Sequence, residues 1–339
     1  MAELERQILR PPDSLEEWDA FVDLSPQGSI FCRSWWLDAV APGRHEILVL
    51  RKNGKITAGM PMVHVRLRGG DVCHMPILTQ TLGALLPPPK GRNYTDDISD
   101  ETNLLRHLVA AVPRFSFFVM NFHYNFTNWL PFYWDGYEQT TRYTYVIDDL
   151  TDLEKVFGAF VYAKRMDIKK AERIVEVRED LAPEAFYENL RKTLRMRGQE
   201  IFYSYDHFER IHAACASRGA GKTWYAVDSA GNMHSGIFLV FDKKSAYYLI
   251  STIDPEHRSS GSHTLLLKHV IEFCAGRTGK FDFEGSMIEG VENSYRHFGA
   301  IRKPYFRISR DLRVLTRCSR FFRAKVAAVG DRLGFMRCG

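Results

Sequence analysis

The stretch "FDFEGSMIEGVENSYRHFGA", residues 281–300, decides the reading of the chain. "FDFE" has the alternation of a strand, "GS" is a turn, and "IEGVENSYRHF" has helical spacing that ends at Gly299. A strand running straight into a helix is an α/β-type passage. Two features stand out against that background. Asp282 and Glu284 lie two residues apart and so share one strand face, about 7 Å apart, with Phe281 and Phe283 filling the other. Tyr295 stands four residues before the Gly299–Ala300 pair that ends the helix.

Working outward, helices are expected at 151–173, 183–197 and 205–218. Strands follow at 222–228, 233–242 and 245–253, joined by the polar turns "DSAGN" and "DKKS". In "SHTLLLKHVIEFCAG" (262–276), Leu265, Leu266, His269, Val270 and Phe273 form an apolar helical face. The order predicts an α+β unit whose sheet begins antiparallel and gains a parallel strand after that helix.

The first half repeats parts of this order. "NGKITAGMPMV" (53–63) is echoed by "AGNMHSGIFLV" (230–240), and "FYWDGYEQTTRYTYVID" (132–148) by "YRHFGAIRKPYFRISRD" (295–311). Capping-box patterns, Ser14 with Glu17 and Thr151 with Glu154, open a helix in each half. A tandem duplication is predicted, with domains at 1–150 and 151–311. By the second echo Phe132 stands where the later half has Tyr295, so the later half is the candidate chemical one. The aromatics of the first half (Trp35, Trp36, Phe122, Tyr124, Trp129, Tyr133, Trp134) are expected mainly in a core.

Composition sets the limits. Apolar residues at 45% and charged residues at 26% fit a soluble globular chain, and 339 residues exceed the usual single core. The net charge is +5, yet residues 312–339 carry seven Lys/Arg against Asp331 alone. The body is therefore no general polyanion binder. The tail reads as a basic amphipathic helix that docks on the body, touches RNA or meets an anionic membrane surface. Six scattered cysteines without a C-x-x-C or zinc spacing fit a reduced protein without metal. No signal-type N-terminus or run of about 18 apolar residues is present, so a cytoplasmic location is expected.

Three stretches, "SIFCRSWWLDAV" (29–40), "YAKRMDIKKAER" (162–173) and residues 281–300, make the chain resemble a tandem GNAT acyltransferase of the Fem (FemAB-like) type. The resemblance covers most of residues 12–310 and is more specific in the second half. It implies two GNAT-like domains, each a mostly antiparallel mixed sheet flanked by helices. It also implies transfer of an acyl or aminoacyl group from acyl-CoA (acetyl-CoA) or aminoacyl-tRNA to a primary amine. The acceptor would be a small molecule, a sugar or a cell-wall precursor, in keeping with cell-envelope biogenesis.

By the resemblance, "RSSGSH" is the phosphate-holding turn: Arg258, Ser260, Gly261, Ser262 and His263 at the start of a helix whose N–H groups attract anions. His263 stands where the family pattern has Gly or Ala. It is expected to crowd a diphosphate, which counts against CoA as donor. Tyr295 is implied as the general acid for the leaving group, a role that suits a phenol with a pKa near 10. Backbone N–H groups for the oxyanion are implied around Ile250 to Thr252. Glu284 is the expected base or amine anchor, with Asp282 beside it. Arg165 and Lys169, on a cationic stripe with Arg173, and Asn293 are candidate acceptor-binding residues.

Two other readings stay open on the sequence. Asp282 and Glu284 could form a glycoside hydrolase pair, although one strand face suits that geometry poorly. A degenerate GNAT pair could also serve as a non-catalytic scaffold or RNA-binding protein.

Overall fold

The computed structural model describes residues 4–315, apart from 12, 92, 180 and 286; the tail from residue 316 onward, including most of the expected basic helix at 312–339, lies outside them. The first ten elements are β1 (Glu5–Leu9), α1 (Glu16–Leu24), α2 (Ser34–Val40), β2 (His45–Lys52), β3 (Lys55–Leu67), β4 (Gly70–Cys73), α3 (Tyr94–Ala111), β5 (Phe117–Asn121), α4 (Leu130–Trp134) and β6 (Glu138–Ile147). A short pair, α5 (Leu153–Gly158) and α6 (Tyr162–Ala171), follows. The same order then recurs: β7 (Val175–Glu179), α7 (Pro183–Arg195), α8 (Tyr205–Ala216), β8 (Gly221–Asp228), β9 (Met233–Phe241), β10 (Ser245–Ile253), α9 (Ser262–Cys274), β11 (Lys280–Asp282), α10 (Glu289–Arg296) and β12 (Ile301–Asp311). The fold is thus a duplicated α+β unit, and the echoes in the sequence fall on equivalent elements.

The units are not the consecutive halves 1–150 and 151–311. Of the described residues, one holds those up to Arg142 together with those from Pro304 onward, and the other holds Tyr143–Lys303. The last strand of each is exchanged. In the first unit the strand order is β1-β2-β3-β4-β5-β12, and in the second β7-β8-β9-β10-β11-β6. Within each set the fourth and fifth strands are parallel and the other neighbours antiparallel. Strand exchange escapes a sequence reading because β6 and β12 share an alternating pattern that suits either partner.

Local signals failed where tertiary partners took the side chains. Neither capping box forms. Leu15 is the residue before α1 and makes no side-chain cap, while Glu17 pairs with Arg51 at 2.7 Å. Asp152 caps α5 by accepting from the Lys155 amide at 3.0 Å, and the Thr151 hydroxyl donates to Asp149. The single helix expected over 151–173 is broken, because Val161 is extended and its amide donates to the His297 carbonyl at 3.0 Å.

The second unit is centred on Phe160, Tyr248, Phe281, Phe283, Tyr295 and Phe298, all buried. Beside them, Gly285 passes so close to the neighbouring backbone that an added Cβ would lie 1.9 Å from the Tyr143 carbonyl oxygen. Gly290 in α10 has open space instead. Gly285→Ala should therefore lower stability by about 2–4 kcal/mol, whereas Gly290→Ala should leave it unchanged or raise it by up to about 1 kcal/mol. Denaturant unfolding of the two variants checks the contrast; equal stabilities would contradict the close approach.

Candidate functional site

The site is built where β10 and β11 part. Their parallel pairing covers only Ser245, Ala246 and Tyr247 against Lys280, Phe281 and Asp282, while β10 runs on to Ile253. Leu249 is an extra residue against β9, since the register shifts between Tyr248 and Ile250. Such a bulge re-aims a strand and frees its edge from the ladder. The opening therefore begins at Tyr248, earlier than the expected Ile250–Thr252. Ile250 is buried and registers with Phe238; Thr252 is buried and its hydroxyl donates to Asn189 at 2.8 Å.

Asp282 ends β11 as a structural group. It is 1% exposed and accepts from the Thr144 hydroxyl and, at 2.7 Å, from the Glu284 amide. The Gly285 amide in turn donates to the Thr144 hydroxyl at 2.9 Å. This short circuit turns Glu284 into the left-handed region at φ 53°, a costly conformation for a residue with a Cβ. Glu284 is fully buried at 0% exposure. The two acids therefore do not present one solvated face, and neither lines the cavity described next. That removes the basis for a glycoside hydrolase pair.

A cavity of about 380 Å³ lies in the second unit and brings together elements far apart in sequence. Arg258 and Ser259 come from a 3-10 turn at Pro255–Ser260; Gly261 and His263 come from the start of α9; Tyr295 comes from α10. Arg258, Gly261 and His263 of the expected cradle thus meet Tyr295 at one cavity. Gly261 has φ 80°, and a Cβ there would lie 2.4 Å from the Asp167 carbonyl oxygen, so only glycine suits the position. Ser260 and Ser262 instead hold the turn. The Ser262 amide donates to the Ser260 hydroxyl at 3.2 Å, and the Ser235 hydroxyl donates to Ser262 at 2.9 Å.

His263 is the least ordinary member. Its Nε2 lies 2.7 Å from the Tyr248 hydroxyl, while Nδ1 is sealed from solvent without a hydrogen-bond partner among the described residues. Burial, reinforced by the positive charges of Lys164 and Arg197, pushes the imidazole down to about 3. It is a neutral hydrogen-bonding group at ordinary pH. Tyr248 packs edge-on to Tyr295 with ring centroids 6.2 Å apart.

The acceptor-binding candidates lie elsewhere. Arg165 is exposed and donates to the carbonyls of Gly158 and Phe160 at 3.0 and 2.7 Å. Lys169 is exposed, and Asn293 accepts from the Arg296 guanidinium. The residues that α6 and the segment after α7 do bring to the cavity are Lys164, Asp167, Arg197 and Gln199. One signal for Lys164 was present in the sequence: it lies one and two turns before Ile168 and Ala171, the buried face of α6. Arg197 carried no such signal. Among the described residues no group of three His, Cys, Asp or Glu could hold a metal ion, and no helix is long and apolar enough to cross a membrane.

Residues 161–298 match the acetyltransferase (GNAT) domain model, and the whole chain is similar in fold to tandem GNAT proteins. The chain is similar in fold to FemX, with a TM-score of 0.66 at 12% identity over 88% of this chain and 96% of that one. It is also similar to a tandem GNAT protein from the clavulanic acid biosynthesis pathway (TM-score 0.55, 11% identity, 91% and 99% coverage). L-PGS from Bacillus licheniformis has a TM-score of 0.53 at 10% identity, with 88% and 92% coverage. No curated protein matches the sequence.

The depressed His263 has a sign that can be tested. Its folded value of about 3 lies below the ordinary 6.5, so between these pH values the unfolded chain binds the extra proton. Stability contributed by the neutral ring is complete above about pH 6.5 and is lost as pH falls toward 3. His263→Asn, which cannot titrate, should flatten this part of the melting-temperature profile; an unchanged acid slope would show that His263 is not its source.

Proposed function

We propose that this protein is an N-acyltransferase that moves an acyl or aminoacyl group from a carrier, acyl-CoA or aminoacyl-tRNA, to a primary amine. The acceptor class is a small molecule, a sugar or a cell-envelope precursor. One observation carries the reading: the glycine-turned helix start and Tyr295 line the same cavity. The carrier's anionic part meets the positive end of α9 and the nearby cations, while its acyl end reaches the parted strands near Tyr248 and Tyr295.

In the transfer the amine nitrogen forms the new bond to the acyl carbon, and the carbon–sulfur or carbon–oxygen bond to the carrier breaks. The Tyr295 phenol supplies the proton to the departing atom, and the proton shed by the nitrogen balances it. The freed edge of β10 beyond Tyr247 offers backbone N–H groups to the carbonyl oxygen as it gains charge. A sealed Glu284 supports the turn between β11 and α10 in this scheme and does not meet the amine. His263, at the place of a smaller residue, favours aminoacyl-tRNA as the second donor to be tried. A passive scaffold has no use for the hydroxyl of Tyr295.

Incubation with acetyl-CoA or aminoacyl-tRNA and a panel of amines, read by mass spectrometry, tests the reaction. Tyr295→Phe should lower turnover by about 10²–10⁴-fold while donor affinity stays within about twofold. Wild-type turnover in the phenylalanine variant would remove the acid role.

A further inference from the structure

In the first unit, the short helix α4 turns one face to the core and another to solvent. Pro131 and Phe132 are buried, and Phe132 packs edge-on against Phe122 and Tyr137. Tyr133 and Trp134, expected in a core, instead stand outward with Leu130 at 59%, 52% and 49% exposure. Half-buried Trp129 meets Tyr133 edge-on at 5.3 Å and extends the patch. The fold itself does not require these side chains. With Phe132 set against Tyr295, the outward positions of α10 in the second copy hold Asn293, Arg296 and His297. Grouping a leucine, a tyrosine and a tryptophan in water adds nothing to the fold, and such a patch marks a surface that takes up an apolar partner.

The edge of the patch is cationic. The Arg106 guanidinium of α3 lies 4.7 Å over the Trp134 ring. Two carboxylates beside the patch are already engaged. Asp135 pairs with Arg310 at 2.6 Å. Glu101 is hydrogen-bonded to Asn128, and burial raises its carboxyl above the usual range. Glu138, at the start of β6, is exposed. Arg310 also donates to the Asp135 carbonyl at 3.3 Å, so β12 ends beside α4. The sequence that follows, residues 316–339, lies outside the described residues and carries six Lys/Arg against Asp331 alone.

This arrangement suits one partner best. Tyrosine and tryptophan rings, apolar with a polar edge, favour the boundary between lipid headgroups and acyl chains. Cations at the rim meet the phosphates of anionic lipids. An RNA site would place cations along a backbone track with aromatics against bases, whereas here the centre is apolar. Three outward side chains also fall short of the about 800 Å² per partner that a stable protein interface buries. We propose that α4 is a peripheral membrane contact: Leu130, Tyr133 and Trp134 enter the headgroup–acyl boundary of an anionic bilayer, with Arg106 at the level of its phosphates. The proposal is independent of the acyl-transfer reading, since the surface and the cavity belong to different units.

Co-sedimentation of the full chain with phosphatidylcholine vesicles, with and without phosphatidylglycerol, tests it. The wild type should bind the anionic vesicles at least about tenfold more tightly than the neutral ones. Tyr133→Ser combined with Trp134→Ser should weaken that binding by about tenfold to a hundredfold, and Arg106→Gln by about fivefold. The unfolding midpoint of the double variant should match wild type, because the replaced side chains face outward. Lipids brominated on their acyl chains should quench wild-type tryptophan fluorescence more than that of Trp134→Phe, which reports insertion directly. Wild-type vesicle binding by the double variant overturns the proposal, as does failure of the wild type to bind anionic vesicles. In the second case, loss of self-association in the double variant assigns the patch to a second copy, and RNA-dependent quenching that Trp134→Phe removes assigns it to RNA.

Discussion

The second unit depends on the carboxylate of Asp282. Buried at the last paired residue of β11, it is held by the Thr144 hydroxyl and caps the Glu284 amide. A buried carboxylate is tolerable only with such donors, and using them here ends the ladder. The chain must then turn through a left-handed Glu284 and squeeze Gly285 past the Tyr143 backbone. That turn aims α10, and with it Tyr295, at the place that β10 leaves open when it bulges at Leu249.

The same fold carries different side chains at equivalent places in its two copies. The second unit starts its crossover helix with Gly261 and no acidic residue in the first turn. The equivalent α3 is capped by Asn93, whose side chain accepts from the Asp96 amide, and has Asp96 and Asp97 in its first turn. Two carboxylates cancel the positive end that would attract an anion. Phe132, buried at 0%, stands where α10 has Tyr295. The first copy therefore keeps the architecture with an acid-rich helix start and a buried phenyl ring where the second has a glycine-started helix and a phenol.

Much of this was legible. The three strands of the β8–β10 meander, the crossover helix and the echo between Phe132 and Tyr295 followed from alternation, turns and spacing, which are local properties. Arg258, Gly261, His263 and Tyr295, which stand out in the sequence, line one cavity. Arg165 and Lys169 form a visible stripe in the sequence, yet such a stripe on a helix marks its wet face. Lys164, next to Arg165 in sequence, faces the cavity because it shares the buried side with Ile168. Arg197 follows a helix end in a segment without periodicity, so nothing local distinguished it.

By itself the sequence determined a duplicated α+β chain, since period and turn chemistry act over a few residues. Only the tertiary structure decided that the last strands are exchanged between units, that Asp282 and Glu284 are sealed, and that Lys164 and Arg197 surround a neutral His263. Those outcomes depend on partner choice and burial between residues far apart in the chain, and pattern along a strand or helix is equally compatible with several such partners.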